Sequence, residues 1–240
     1  LNEIGWRISV LKGGYKNYRK LVLDELDDLG KYQFKIIQGQ TGSAKTKILN
    51  CLCNMNAQVI DLENLACHRG SLLGNEVNKK QPSQRYFESL LHNAIDKFDC
   101  TKPIFIESES SKIGKLHLPK KLWLKLNESD RLLLNVPIDE RIKFLLKEYK
   151  HLTKDCKLIQ PFISGMKGKI SNEKLSNWTN LIQKQDWKNF VKEILENHYD
   201  PKYNFSATKH MNKIKHKIDV IKLNKLSIEN ASKKILEYFN

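Results

Sequence analysis

The sequence predicts a three-layer α/β domain on a mainly parallel sheet, with a helical, basic C-terminal extension. Three observations carry this. Short apolar runs alternate with segments of helical spacing along most of the chain, and strands alternating with helices make parallel sheets covered on both faces. The run Phe34-Lys-Ile-Ile-Gln opens straight into a Gly-containing turn followed by a helical segment. Lysines crowd the last third, at Lys209, Lys213, Lys215, Lys217, Lys222, Lys225, Lys233 and Lys234.

Taken in order, residues 6–10 read as a short strand ending at Gly13-Gly14. Tyr18, Leu21, Val22, Leu26 and Leu29 recur at helical spacing, which predicts a helix over 15–29. The strand at 34–38 is followed by a helix from Lys45 to about Asn54, and Gln58 to Glu63 reads as a second strand. Residues 68–83 are polar and Gly-containing, a loop or lid, and a helix is expected over 84–98. Lys102 to Glu107 is a third strand, its apolar run short and placed after Pro103. Arg131 to Val136 is a fourth, ended by Pro137. Ile142, Leu145, Leu146 and Tyr149 mark a helix over 139–152, and Trp178 and Trp187 sit on the apolar faces of one or two helices over 173–199. Lys217 to Leu223 is the last strand, and Ser227 caps a helix running to Phe239. The expected organisation is a connector over 1–30, an α/β core over 31–165, and a Lys-rich helical part over 166–240 that completes the domain.

The bulk numbers bound the function. A 240-residue chain, 40% hydrophobic, can bury the core of one large domain. No stretch approaches the roughly 18 apolar residues of a membrane span, and the first thirty residues lack a signal-peptide layout. A cytoplasmic protein without a membrane partner is therefore expected. Five cysteines, an odd number, argue for a reducing compartment rather than a disulfide framework. Cys51-Leu-Cys53 is too tightly spaced to chelate zinc, so buried thiols are the better reading. The net charge of +15 comes from 42 Lys and Arg against 27 acids. A Lys-rich codon bias explains Lys over Arg but not the missing acids. Uncompensated charge repels itself unless a polyanion neutralises it, so a nucleic acid is the expected partner.

The strongest local signal is Gly39-Gln40-Thr41-Gly42-Ser43-Ala44-Lys45-Thr46. A Gly-rich turn ending in Lys-Thr between strand and helix is the P-loop pattern, whose amides and helix N-terminus cradle phosphate oxygens. Lys45 supplies the compensating charge, and Thr46 offers a hydroxyl to Mg²⁺ if a metal is used. Ala44 stands where the pattern has its last Gly. A Cβ there narrows the approach of backbone to phosphate, which predicts phosphate binding without efficient nucleotide hydrolysis.

Ligands of open α/β sheets sit at the carboxyl ends of strands. Asp61, Glu63, Glu107 and Glu109 are expected to converge there. Asp61 and Glu107 follow apolar strand residues directly and are favoured to hold Mg²⁺ or position a water. Glu63 and Glu109 read equally well as solvated strand ends. Arg69, in the loop after the second strand, suits a bidentate phosphate contact but reads equally as a surface residue. Lys79, Lys80 and Arg85 fit a basic lid around Gln81-Pro-Ser-Gln84. Arg85, Lys209, Lys213 and Lys217 are the candidate RNA contacts, with a solvated helix face as the alternative for the lysines.

Several further segments have an order and spacing of their own. They are Gly13-Gly-Tyr-Lys-Asn-Tyr-Arg19, Val59-Ile-Asp-Leu-Glu-Asn-Leu-Ala-Cys-His-Arg-Gly-Ser71 and Gln81-Pro-Ser-Gln-Arg-Tyr-Phe-Glu88. Ile106-Glu-Ser-Glu-Ser-Ser-Lys-Ile-Gly114, Glu140-Arg141, Glu148-Tyr149, Trp178, Asp186-Trp187 and His198-Tyr-Asp-Pro-Lys-Tyr203 follow. With the Gly-rich loop they resemble the C-terminal, P-loop half of tRNA 2-selenouridine synthases over nearly the whole chain. The resemblance implies a transferase that exchanges sulfur for selenium in wobble 2-thiouridine of tRNA. Selenophosphate is the implied donor, and a geranylated intermediate is made from geranyl diphosphate. It also implies a rhodanese domain carrying the catalytic cysteine. Residues 6–19 resemble the end of such a domain, so the rhodanese half is expected either on a removed N-terminal part or as a separate polypeptide in trans. Phe205 departs from the pattern where an Arg is expected. The alternatives are a P-loop kinase or ATPase acting on a small substrate, its loop holding a nucleotide, and a non-catalytic tRNA-binding subunit.

Overall fold

The computed structural model describes residues 5, 7, 9–68, 80–108, 110–211 and 218–239, apart from the side chains of 154, 156 and 206–211. The chain enters through helix α1 (Gly14–Asp27) and strand β1 (Phe34–Gly39), then helix α2 (Lys45–Asn54), β2 (Gln58–Ile60) and the short α3 (Leu62–Leu65). After α4 (Gln84–Ile95) and β3 (Ile104–Glu107), a hairpin of β4 (Lys112–Ile113) and β5 (Leu116–His117) leads to α5 (Lys120–Asn127). Next come β6 (Asp130–Asn135), α6 (Ile138–Glu148) and α7 (Lys150–Lys154). Then α8 (Gln160–Met166), α9 (Asn172–Gln183) and α10 (Trp187–Ile194) run through one π turn, Leu195–Tyr199, into α11 (Asp200–Met211). Strand β7 (Ile218–Lys222) and helix α12 (Ile228–Phe239) finish the fold.

Five strands form one sheet in the order β2–β3–β1–β6–β7, and every neighbouring pair is parallel. This is the α/β class the sequence predicts. Successive strand residues point to opposite faces. Phe34, Ile36, Ile104 and Ile106 meet Val22, Leu26, Phe87, Leu91 and Leu122 of α1, α4 and α5. Ile37, Phe105, Leu132 and Leu134 meet Ile48, Leu49 and Leu52 of α2 and Ala231 and Ile235 of α12. Burial on both sides explains why these strands read as continuous apolar runs rather than alternating ones. A third apolar cluster lies outside the sheet. It joins Phe162, Ile163 and Met166 to Trp178, Ile182, Phe190 and Ile194, with Trp178 fully buried and stacked on Phe162.

The connection from β1 runs towards the β2 edge, and the one from β3 crosses β1 to reach β6. That divergence opens a crevice at the carboxyl ends of β1 and β3, the usual ligand position in such sheets.

Local chemistry sets the element ends. Ser83, Ser171 and Asp186 cap α4, α9 and α10, accepting from the amides of Tyr86, Lys174 and Asn189 at 3.3, 3.3 and 3.2 Å. The same chemistry corrects one expectation. The second strand stops at Ile60 instead of running to Glu63, because Asp61 accepts from Asn64 N at 2.9 Å and starts α3. Helix α6 ends at Glu148 rather than reaching 152, and α7 follows Tyr149. Arg7, Ser9 and Val10 are not in a strand, and Val10 is 86% exposed. All three are exposed, so no buried face holds them against the sheet.

The β4–β5 hairpin and α5 carry no signal strong enough to be read from sequence. Two glutamines hold the hairpin by imitating a neighbouring strand. Gln81 donates to the Ile113 carbonyl at 3.0 Å and accepts from Lys115 N at 2.8 Å. Gln84 donates to the His117 carbonyl at 2.8 Å and accepts from His117 N at 2.9 Å. The segment read as a basic lid thus spends its glutamines on framework, and Arg85, next in the chain after them, is exposed.

Candidate functional site

The Gly39–Thr46 turn sits between β1 and α2 in the crevice. Its carbonyls are bonded one after another. Lys45 Nζ donates to Gly39 O at 2.8 Å. Ser43 donates to Gln40 O through N at 3.1 Å and Oγ at 2.7 Å. Arg141 Nη1, from α6, donates to Thr41 O at 3.1 Å. Gly42 has φ 87°, and a Cβ there would lie 3.0 Å from Arg141 Cβ and from Leu145 Cδ1, so only Gly fits. Ala44 adopts the left-handed region, φ 59° and ψ 27°, at the start of α2. For a residue with a Cβ this costs about 1–2 kcal/mol. The fold therefore holds the loop shape at a position where Gly would adopt it freely.

The turn forms one wall of a polar basin of about 470 Å³. Asp61, Glu63 and Glu107 line it, so three of the four predicted acids converge. Glu109 lies outside the described residues. Thr46 Oγ1 stands 3.3 Å from Glu63 Oε2, and Glu63 N points to Glu107 Oε1 at 3.4 Å. Glu107 is 1% exposed. The acid beside Thr46 is thus Glu63, which sequence reasoning weighed evenly against a solvated strand end, while Asp61 is engaged as the cap of α3. Among the described residues no three His, Cys, Asp or Glu side chains group into a metal cage. Thr46 with Glu63 suits an Mg²⁺ that takes its remaining oxygens from phosphate and water, the habit of that ion.

The other candidates separate. Arg69, Lys79, Lys213 and Lys217 lie outside the described residues, as does the side chain of Lys209 in α11. Arg85 does not line the basin.

A second compartment adjoins the basin and went unread in the sequence. It is a narrow cleft of about 100 Å³ with walls almost wholly apolar, and it shares Thr41, Leu145 and Tyr149 with the basin. Phe162, Trp187, Phe190, Val191, Ile194, Leu195 and Tyr199 supply much of the rest.

The His198-Tyr-Asp-Pro-Lys-Tyr203 segment runs from the end of the π turn, a helix defect common at functional sites, into α11. His198 is buried edge-on against Trp178, and burial, then Lys202 and Lys169, pull its pKa down. Tyr199 enters the cleft wall, where burial raises its phenol pKa. Asp200 takes Arg141 bidentately, at 2.9 and 2.8 Å. Tyr203 is bonded to the backbone of Gly39, and burial pushes its pKa up to about 12.

The comparisons with known proteins agree with this geometry. The family described as "tRNA 2-selenouridine synthase AAA domain" matches residues 32–177. The chain belongs to that family. A tRNA 2-selenouridine synthase of Marinobacter nauticus is 30% identical over 89% of this chain and 65% of its own length. One from Sulfurovum sp. is 31% identical over the same shares. One from Alcanivorax borkumensis is 34% identical over 62% of this chain and 41% of its own. The chain thus spans about two thirds or less of the tRNA 2-selenouridine synthases it matches. Among the described residues no helix is long and apolar enough to cross a membrane.

Proposed function

We propose that this chain is the P-loop part of a cytoplasmic tRNA 2-selenouridine synthase, binding tRNA and a prenyl diphosphate and transferring the prenyl group to wobble 2-thiouridine. The observation that carries the reading is the junction of the polar basin with the apolar cleft at Thr41, Leu145 and Tyr149. A nucleotide carries ribose hydroxyls and polar base edges next to its phosphates, and the almost wholly apolar walls of the cleft offer them few partners. An amphiphile such as geranyl diphosphate uses both, its diphosphate against the loop and its chain in the cleft.

In the proposed step the thiouridine sulfur attacks the first carbon of the prenyl chain, the carbon–oxygen bond to diphosphate breaks, and the N3 proton of the base passes to the departing diphosphate or to water. Lys45 leaves the Gly39 carbonyl for the departing diphosphate, and the loop amides stabilise its charge where it forms. Thr46 with Glu63, Asp61 or Glu107 would hold Mg²⁺ against the same oxygens, and Arg69 would add a phosphate contact. The +15 charge supports a tRNA partner. The exchange for selenium from selenophosphate belongs, in this reading, to the thiolate of a rhodanese domain, on the same polypeptide or in trans.

Calorimetric titration with geranyl diphosphate, pyrophosphate and ATP tests the reading. Geranyl diphosphate is expected to bind most tightly. Tight binding of ATP with no binding of geranyl diphosphate would favour the kinase or ATPase alternative instead.

A further inference from the structure

We propose that Arg141, braced by Asp200, is a positioning residue that aims the Gly42 amide of the phosphate loop. The inference rests on the phosphate-loop reading above and extends it to residues outside the motif. No peptide among the described residues is cis. In a trans peptide the C=O of one residue and the N–H of the next point in opposite directions. Fixing the Thr41 carbonyl on Arg141 therefore turns the Gly42 N–H away from α6, and Gly42 lines the basin.

The first two loop carbonyls are tied by the loop's own Lys45 and Ser43. The third relies on a side chain a hundred residues downstream. Arg141 is 3% exposed, and Asp200 neutralises it through two parallel bonds, the geometry that fixes a guanidinium in one plane. A lysine would keep the charge but lose the fork that serves Asp200 and Thr41 together. A side chain at Gly42 would press on Arg141 and Leu145, so the loop meets α6 here with a glycine.

The bracing also links the two compartments. Asp200 directly follows the π turn that puts Leu195 and Tyr199 on the cleft wall. The chain segment that closes the apolar cleft is thus the one that sets the loop amide.

The test uses inorganic pyrophosphate, which engages the basin alone, with the full chain and its Arg141→Lys and Asp200→Asn variants. Affinity is read by calorimetry, the Gly42 amide proton by NMR with ¹⁵N-glycine, and folding by thermal melting. In the wild type, pyrophosphate should shift the Gly42 amide downfield. Each variant should bind about tenfold more weakly, the loss typical of one bond to a charged group. At saturating pyrophosphate each should also show a reduced Gly42 shift. A purely structural role would lower the melting temperature and leave that shift intact, and this result overturns the proposal. So does wild-type affinity in both variants. Should Arg141→Lys fail to fold, Asp200→Asn, which keeps one of the two acceptor oxygens and removes the charge and the second bond, decides. Failure of the wild type to bind pyrophosphate removes the phosphate-loop reading, and the inference with it.

Discussion

The polar basin and the apolar cleft share a wall, yet they are built in opposite ways. The basin is built around the backbone of one contiguous loop, whose first three carbonyls are tied to Lys45, Ser43 and Arg141. The cleft is made by side chains from α6, α7, α8, α10 and the π turn. A backbone site depends on local conformation and tolerates few residues at its special angles. A side-chain site depends on summed apolar area and tolerates exchange of equal volumes. The two should therefore fail differently under mutation.

The largest expected effect comes from Lys45→Ala. It removes the only charge contributed by the loop itself, so pyrophosphate and geranyl diphosphate should both lose about 2–4 kcal/mol of binding, as for truncation of one partner in a charge pair. Thermal melting should show the fold intact. Unchanged calorimetric affinity for both ligands would remove the loop from the site. Val191→Phe, which narrows the cleft, should come next. It should cost geranyl diphosphate about 1–3 kcal/mol, the worth of one poorly accommodated apolar group, and leave pyrophosphate untouched. Equal losses for the two ligands would mean that the compartments are not separable. The smallest effect is a gain. Ala44→Gly relieves a left-handed conformation and should raise stability by up to about 1 kcal/mol, since added unfolded-state entropy offsets part of the relief. A lower melting temperature would show that the Ala44 methyl contributes packing that outweighs its strain.

The contrast also explains what could be read in the sequence. The loop was legible because its chemistry is contiguous and flanked by a strand and a helix. The sheet was legible because its strands are buried on both faces and written as unbroken apolar runs. The cleft was not, because its walls are drawn from residues between 41 and 199 whose apolar spacing is identical to that of an ordinary helical core. Trp187 and Tyr149 were read as helix faces; Trp187 is one, whereas Tyr149 is the turn between α6 and α7. Arg141 and Asp200 entered only as parts of a resemblance, since a bond spanning 59 residues has no local signature. Glu63 was undervalued because its strand was drawn too long. Once Asp61 is seen as a helix cap, Glu63 turns into the basin one position inside α3. Asp61-Leu-Glu-Asn64 carried that signal, an Asp with a free amide three residues on.

The central claim is that the basin and cleft act as one amphiphilic site. It is tested most directly by titrating geranyl diphosphate and pyrophosphate across a range of temperatures, with the wild type and Val191→Phe. Burial of an apolar chain makes the heat capacity of binding more negative. Wild type should therefore bind geranyl diphosphate more tightly and with a more negative heat capacity change than pyrophosphate, and Val191→Phe should erase most of both differences. Identical affinity and heat capacity for the two ligands in the wild type would contradict the account.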